Sequence, residues 1–295
     1  MRGLCAGAQE SETVGQCISL LSKTGIAAHQ VCERTLSEIH PDDEAYRRVR
    51  YALVRAGCEQ MRAAYALRVG GRMEVMLLKP EHVAPVSLEK MISGACGVPM
   101  RACFREGMLS TQAVYEQVPA LSLEIGAALR SRSGEVVTGD SYISRALPGG
   151  RHVLALSDGM GSGEQAIRES GLAIRLLEQF LQTGIPAEQA LRTLTSALAL
   201  RGEETGGFTT VDLLEIDLFT GEGYLYKIGA APTYVRQGDS IRRLTGTSLP
   251  AGLAEGTREA VDRFSMALSP GDCVLMVSDG VCGTGEDGWL MERLR

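Results

Sequence analysis

One short phrase occurs twice in this chain, and no other feature limits the fold as strongly. Leu154-Ala155-Leu156-Ser157-Asp158-Gly159 and Leu275-Met276-Val277-Ser278-Asp279-Gly280 are each an apolar run of strand type that ends in Ser-Asp-Gly. If the two strands lie in facing or neighbouring positions, both carboxylates emerge at one sheet end. The glycine after each lets the backbone turn tightly and come close to a ligand. A third carboxylate, Asp140 in Gly139-Asp140-Ser141, stands just ahead of the hairpin that leads into the first copy. Three carboxylates at converging strand ends repel one another unless a cation lies between them, and donors that are all oxygen favour Mg²⁺ or Mn²⁺ over zinc. A single Asp-Gly at a strand end is an ordinary turn. Two copies behind the same serine and the same kind of apolar run, with the Gly-Asp-Ser besides, make Asp140, Asp158 and Asp279 the candidate metal-ligating and catalytic residues.

Around these residues the chain reads as an α+β layered fold. Leu121, Leu123 and Ile125 alternate with polar or small residues as in a half-buried strand, so a β-rich domain is expected from about residue 118. Pro148-Gly149-Gly150 punctuates a hairpin between residues 142–147 and 153–156. Two helical stripes follow, Ile167, Gly171, Ile174, Leu177 and Leu181, then Ala187, Leu191, Leu194 and Leu198, with Pro186 as a first-turn residue. Strands return at 211–218, 223–228, 233–236 and 273–277. The first third reads as mainly helical: Ala45, Val49, Ala52, Leu53 and Ala56 recur at helical spacing behind the acidic opening Asp42-Asp43-Glu44, and residues 14–21 and 31–39 look similar. Residues 72–78 suggest a strand there and 87–95 a short helix.

Several function classes drop out. A net charge of -6, with no basic run longer than Arg47-Arg48 or Arg242-Arg243, argues against a nucleic-acid partner. No run approaches the roughly 18 apolar residues of a membrane helix, and the start has no secretory signal, so a cytoplasmic location is expected. The eight cysteines form no C-x-x-C pair and read as reduced core residues; the four histidines are widely separated, so no zinc site is expected. There is no H-E-x-x-H, no G-x-S-x-G and no cysteine followed by five residues and then an arginine. The glycines of residues 159–163 follow an aspartate at spacings that fit no dinucleotide or P-loop fingerprint.

Gly139-Asp140-Ser141-Tyr142, Ser157-Asp158-Gly159-Met160-Gly161-Ser162-Gly163 and Ser278-Asp279-Gly280 resemble the successive motifs of the PP2C-like (PPM-type) serine/threonine protein phosphatases. The wording between them, Gln117-Val118-Pro119, Phe208-Thr209-Thr210-Val211-Asp212-Leu213 and Ile228-Gly229-Ala230-Ala231-Pro232, is similar to the sporulation branch of that family. The resemblance implies a sandwich of two antiparallel β-sheets flanked by helices over residues 118–295, behind a mainly helical regulatory or linker region over residues 1–117. It also implies two Mn²⁺ or Mg²⁺ ions, with Asp158 bridging them, Asp140 and the Gly159 carbonyl on one and Asp279 on the other. The activity it implies is hydrolysis of phosphoserine by a two-metal-activated water, with no phosphoenzyme. The substrate would be a phosphoprotein, an anti-sigma-factor antagonist. The N-terminal region would serve self-association or a cell-division protein, and the helices of residues 163–200 would couple regulation to the metal site.

Two departures from the family pattern are visible. The chain stops before the helix, Asp-rich motif and closing strand that normally end the phosphatase domain, so a C-terminally truncated domain is expected. Full-length relatives are membrane-anchored, whereas no membrane segment is present here. A rival reading is therefore a non-catalytic interaction or oligomerisation module with an incomplete phosphatase fold, and a weaker one is nucleotide binding through residues 159–163.

Overall fold

The computed structural model describes residues 39–104, 107–131, 138–160, 163–205, 208–253, 261–282 and 287–295. The helical readings at 14–21 and 31–38 lie outside the described residues. The described chain falls into two compact units, one up to Ala120 and one from Leu121.

The first unit runs β1 (Ile39–Pro41), α1 (Asp43–Arg55), β2 (Arg62–Val69), β3 (Arg72–Leu78), α2 (Glu89–Cys96), β4 (Met100–Cys103) and β5 (Gln112–Gln117). Asp42 caps α1 by accepting from the Ala45 amide at 2.9 Å, and Asp43 and Glu44 complement the positive end of the helix. The stripe Ala45, Val49 and Leu53 packs on Met73, Val75 and Leu77, the alternate residues of β3. The five strands form one antiparallel sheet in the order β1-β2-β3-β5-β4. The mainly helical expectation is therefore corrected over residues 39–117: α1, α2 and β3 are where the sequence places them, but a sheet carries the unit. Its other strands are short, as in β4, or mix arginine with small residues, as in β2, so their period of two is diluted.

The second unit runs β6 (Asp140–Leu147), β7 (Arg151–Asp158), α3 (Gly163–Gln182), α4 (Ala187–Thr205), β8 (Val211–Asp217), β9 (Glu222–Ile228), β10 (Thr233–Gln237), β11 (Ser240–Leu244), β12 (Asp262–Ala267), β13 (Cys273–Met276), α5 (Asp279–Cys282) and α6 (Gly288–Leu294). A five-stranded antiparallel sheet, β12-β9-β8-β7-β6, and a three-stranded one, β11-β10-β13, make the two β layers. Val153, Ala155, Val211, Leu213 and Ile228 on one face of the larger sheet are covered by Ile174, Leu177 and Leu181 of α3 and Leu191, Leu194 and Leu198 of α4. The opposite face, with Leu214, Ile216 and Leu225, packs on Val235, Val274 and Met276 of the smaller sheet. Tyr234, Val277, Cys282 and Leu290 form a further cluster that joins the smaller sheet to α5 and α6. This is the sandwich of two antiparallel sheets flanked by helices that the motifs lead one to expect.

The hairpin at 148–150, the helix pair and the strands read at 211–218, 223–228, 233–236 and 273–277 are all present. Residues 121–125 are not a strand. Leu121 donates one hydrogen bond to the Leu218 carbonyl and Leu123 reaches the core between the sheets, but no ladder forms. No helix among the described residues is long and apolar enough to cross a membrane.

Leu213 is fully buried beneath the helix pair, so Leu213→Ala should lower the stability of this unit by about 2–5 kcal/mol in urea unfolding. Leu249→Ala, at a 63% exposed position, should stay within about 0.5 kcal/mol of the parent. Equal effects from the two changes would contradict the layer assignment.

Candidate functional site

The register of β6 and β7 sets Asp140 and Asp158 directly opposite each other. Along β7, Val153, Ala155 and Ser157 turn to the helix side, so Leu154, Leu156 and Asp158 turn to the layer between the sheets. The third carboxylate arrives from the other sheet, because β13 ends at Met276 and Asp279 opens α5 three residues later. Ser278 Oγ donates to Asp140 Oδ2 at 2.9 Å, which ties the second Ser-Asp-Gly phrase to the Gly-Asp-Ser. Asp158 lies within side-chain hydrogen-bonding reach of both Asp140 and Asp279. Burial, followed by the neighbouring charges of Asp140 and Asp279, pushes its carboxyl up to about 7. Asp140 and Asp158 are half-buried and Asp279 is exposed, so the cluster opens to solvent on the Asp279 side.

The backbone beneath Asp158 is held from both sides. Thr209 Oγ1 donates to the Asp158 carbonyl at 2.7 Å, as does the Thr210 amide at 3.0 Å, and the Asp158 amide donates to Thr210 Oγ1 at 3.2 Å. Ser157 Oγ, fully buried, donates to the Thr210 carbonyl at 2.7 Å. Thr209 in turn exchanges two backbone hydrogen bonds with Ala251. The glycines on either side of the paired aspartates are there for close approach. A Cβ on Gly159 would lie 2.0 Å from the Ala166 carbonyl of α3, and one on Gly139 would lie 2.9 Å from the Ala166 Cβ. The first turn of α3 therefore rests directly on the backbone that presents Asp140 and Asp158.

The structure thus brings together Asp140, Asp158 and Asp279, with Gly159 buried beside them. Sequence reasoning gave no role to Ser278, Thr209, Thr210 or Ala166. Phe208-Thr209-Thr210 stood out only as wording, and Ala166 carries no signal short of the packed helix. His152 is not part of the cluster: it pairs with Ser144 at 2.9 Å, and burial draws its pKa down.

Among the described residues no three His, Cys, Asp or Glu side chains already form a finished cation cage. Holding an ion therefore requires the carboxylates to turn towards it. The donor set nevertheless fits a hard divalent cation: every candidate donor is oxygen, and the burial and neighbouring carboxylates that raise Asp158 are both offset by such an ion.

Two antiparallel sheets packed between helices, with aspartates meeting at one end, define the class: the PP2C-like phosphatase fold. Among solved structures the chain is similar to the PP2C phosphatase domain with a fragment of the regulatory domain of the cell fate determinant SpoIIE from Bacillus subtilis. The TM-score is 0.59 at 22% identity, over 96% of this chain and 87% of that one; at this identity the likeness speaks for the fold. The family model described as stage II sporulation protein E matches residues 148–295, and the chain belongs to that family. It is 38% identical over 162 residues to stage II sporulation protein E of Priestia megaterium, covering 55% of this chain and 27% of that protein. It is 36% identical over 175 residues to the same protein of Bacillus subtilis strain 168, covering 58% and 21%. The chain thus spans about a quarter of the length of these curated relatives.

The raised pKa of Asp158 sets a sign. Its folded value, about 7, lies above the ordinary 3.8, so the folded state binds this proton more tightly than the unfolded state does. The contribution is present in full below pH 3.8 and is lost as pH rises to about 7. In metal-free protein, the difference in unfolding free energy between the parent and Asp158→Asn should therefore move against the parent across that window. A pH-independent difference would show that the three carboxylates do not crowd.

Proposed function

We propose that this chain carries a divalent-cation-dependent protein serine/threonine phosphatase in residues 118–295, with Asp140, Asp158 and Asp279 as its working carboxylates. The observation that carries the reading is Asp158, pressed between two other carboxylates where the two sheets meet. Membership of the family supports the reaction class. Asp140, Asp158, Asp279 and the Gly159 carbonyl would hold the Mn²⁺ or Mg²⁺ ions. Bound ions would supply Lewis-acid polarisation of the phosphoryl oxygens and a lowered pKa for water.

The chain's own residues do the rest. Ser278 steadies Asp140, while Thr209 and Thr210 fix the backbone from which the Asp158 carboxylate projects. Asp279 stands at the solvent-facing side, where a phosphoserine carried on another protein can approach. Without cations the same cluster repels a phosphate dianion, so binding and turnover are lost together. The substrate is a phosphorylated anti-sigma-factor antagonist, and the first unit serves self-association or a cell-division protein. The contact of Ala166 with Gly139 and Gly159 gives α3 a direct route for transmitting regulation to the centre.

Hydrolysis of a phosphoserine peptide should require Mn²⁺ or Mg²⁺, stop with a chelator, and fall by about two to three orders of magnitude in Asp158→Ala. Turnover that survives chelation or the substitution would contradict the reading. A folded parent with no metal-dependent turnover would favour the non-catalytic interaction module.

A further inference from the structure

Away from the carboxylates, three polar residues are shut inside the second unit. Lys227 of β9, Asp212 of β8 and Thr233 at the start of β10 are 0%, 1% and 0% exposed. They close a triangle: Lys227 Nζ donates to Asp212 Oδ2 at 2.7 Å and to Thr233 Oγ1 at 2.8 Å, and Thr233 Oγ1 donates to Asp212 Oδ2 at 2.5 Å. Asp212 and Lys227 are direct cross-strand partners in the five-stranded sheet, whereas Thr233 belongs to the three-stranded one. The triangle therefore bolts one sheet to the other.

Stability does not account for it. Burial, the largest influence on each group, raises the pKa of Asp212 and lowers that of Lys227, so both are driven towards neutrality despite the pairing. Asp212 Oδ1, also buried, has no hydrogen-bond partner among the described residues. Apolar side chains of similar size would fill this layer as well or better. What a hydrogen-bonded triangle adds is direction, since it fixes distances that sliding apolar contacts leave loose.

The place it fixes is informative. Asp212 is paired on its other side with Leu156, two residues before Asp158. Thr233 is paired with Met276, three residues before Asp279. The two carboxylates that must share an ion thus come from different sheets, each a few residues from a corner of the triangle. We propose that Asp212, Lys227 and Thr233 are positioning residues for the metal centre, joining the two sheets so that Asp279 is held at ion-sharing distance from Asp158. This rests on the metal reading above, and the test separates the two.

Thr233→Val keeps the branched shape and removes the hydroxyl that crosses between the sheets; Thr233→Ser restores it. In calorimetric titration of the full chain with Mn²⁺, Thr233→Val should bind about 10- to 100-fold more weakly than the parent, with Thr233→Ser close to the parent. In the metal-free chain, amide exchange over residues 277–280 should quicken in Thr233→Val, while β7 and β8 keep their protection. If Thr233→Val fails to fold, the double change Asp212→Val with Lys227→Met replaces the charged pair by apolar groups. It should melt no lower than the parent without metal, yet show the same weakened Mn²⁺ binding. Parent-like Mn²⁺ affinity together with unchanged exchange at 277–280 would overturn the proposal and leave the metal reading standing. A parent that binds no Mn²⁺ would remove the metal reading, and the exchange measurement would still decide whether the triangle positions Asp279.

Discussion

Asp158 stands between two other carboxylates, and much of the second unit works to keep it there. Left to their charges, Asp140, Asp158 and Asp279 would move apart. They stay together because strand pairing sets Asp140 opposite Asp158, and because packing between the sheets delivers Asp279 from the other side. Burial first, and then the two neighbouring carboxylates, raise the Asp158 carboxyl to about 7. A site built this way stores repulsion that a divalent cation converts into binding.

The surrounding packing serves the same end at several distances. Closest in, Thr209 and Thr210 hold the Asp158 backbone, and Ser278 reaches across to Asp140. Ala166 comes next, resting on Gly139 and Gly159 so closely that no side chain fits at Gly159, which makes the start of α3 part of the wall of the site. Further off, the helix pair and the larger sheet share one apolar cluster, and the two sheets share another. Displacement of α3 would therefore be felt first at the backbone that carries the two paired aspartates.

Much of this was legible in the amino-acid sequence, and the parts that were not have physical reasons. The Ser-Asp-Gly phrases could be read because chemistry and hydrophobic pattern repeat together, and α3 and α4 because their buried stripes are long. The edge strands β11 and β12 could not: Ser240-Ile241-Arg242-Arg243-Leu244 is mostly exposed, so it lacks a clean apolar alternation. Residues 121–125 show the opposite failure, an alternation with no neighbouring strand to pair with. In the first unit the stripe of α1 is the strongest local signal, although the sheet beneath it carries the packing. Contacts such as Ser278 with Asp140, or Lys227 with Thr233, depend on how two sheets face each other, and no local pattern encodes that.

The most direct measurement is anomalous diffraction at the manganese edge from crystals of the chain grown with Mn²⁺. The account expects peaks within coordination distance of Asp158, with Asp140 and Asp279 turned towards them. Well-ordered carboxylates with no peak among them, or manganese bound only elsewhere on the surface, would contradict it.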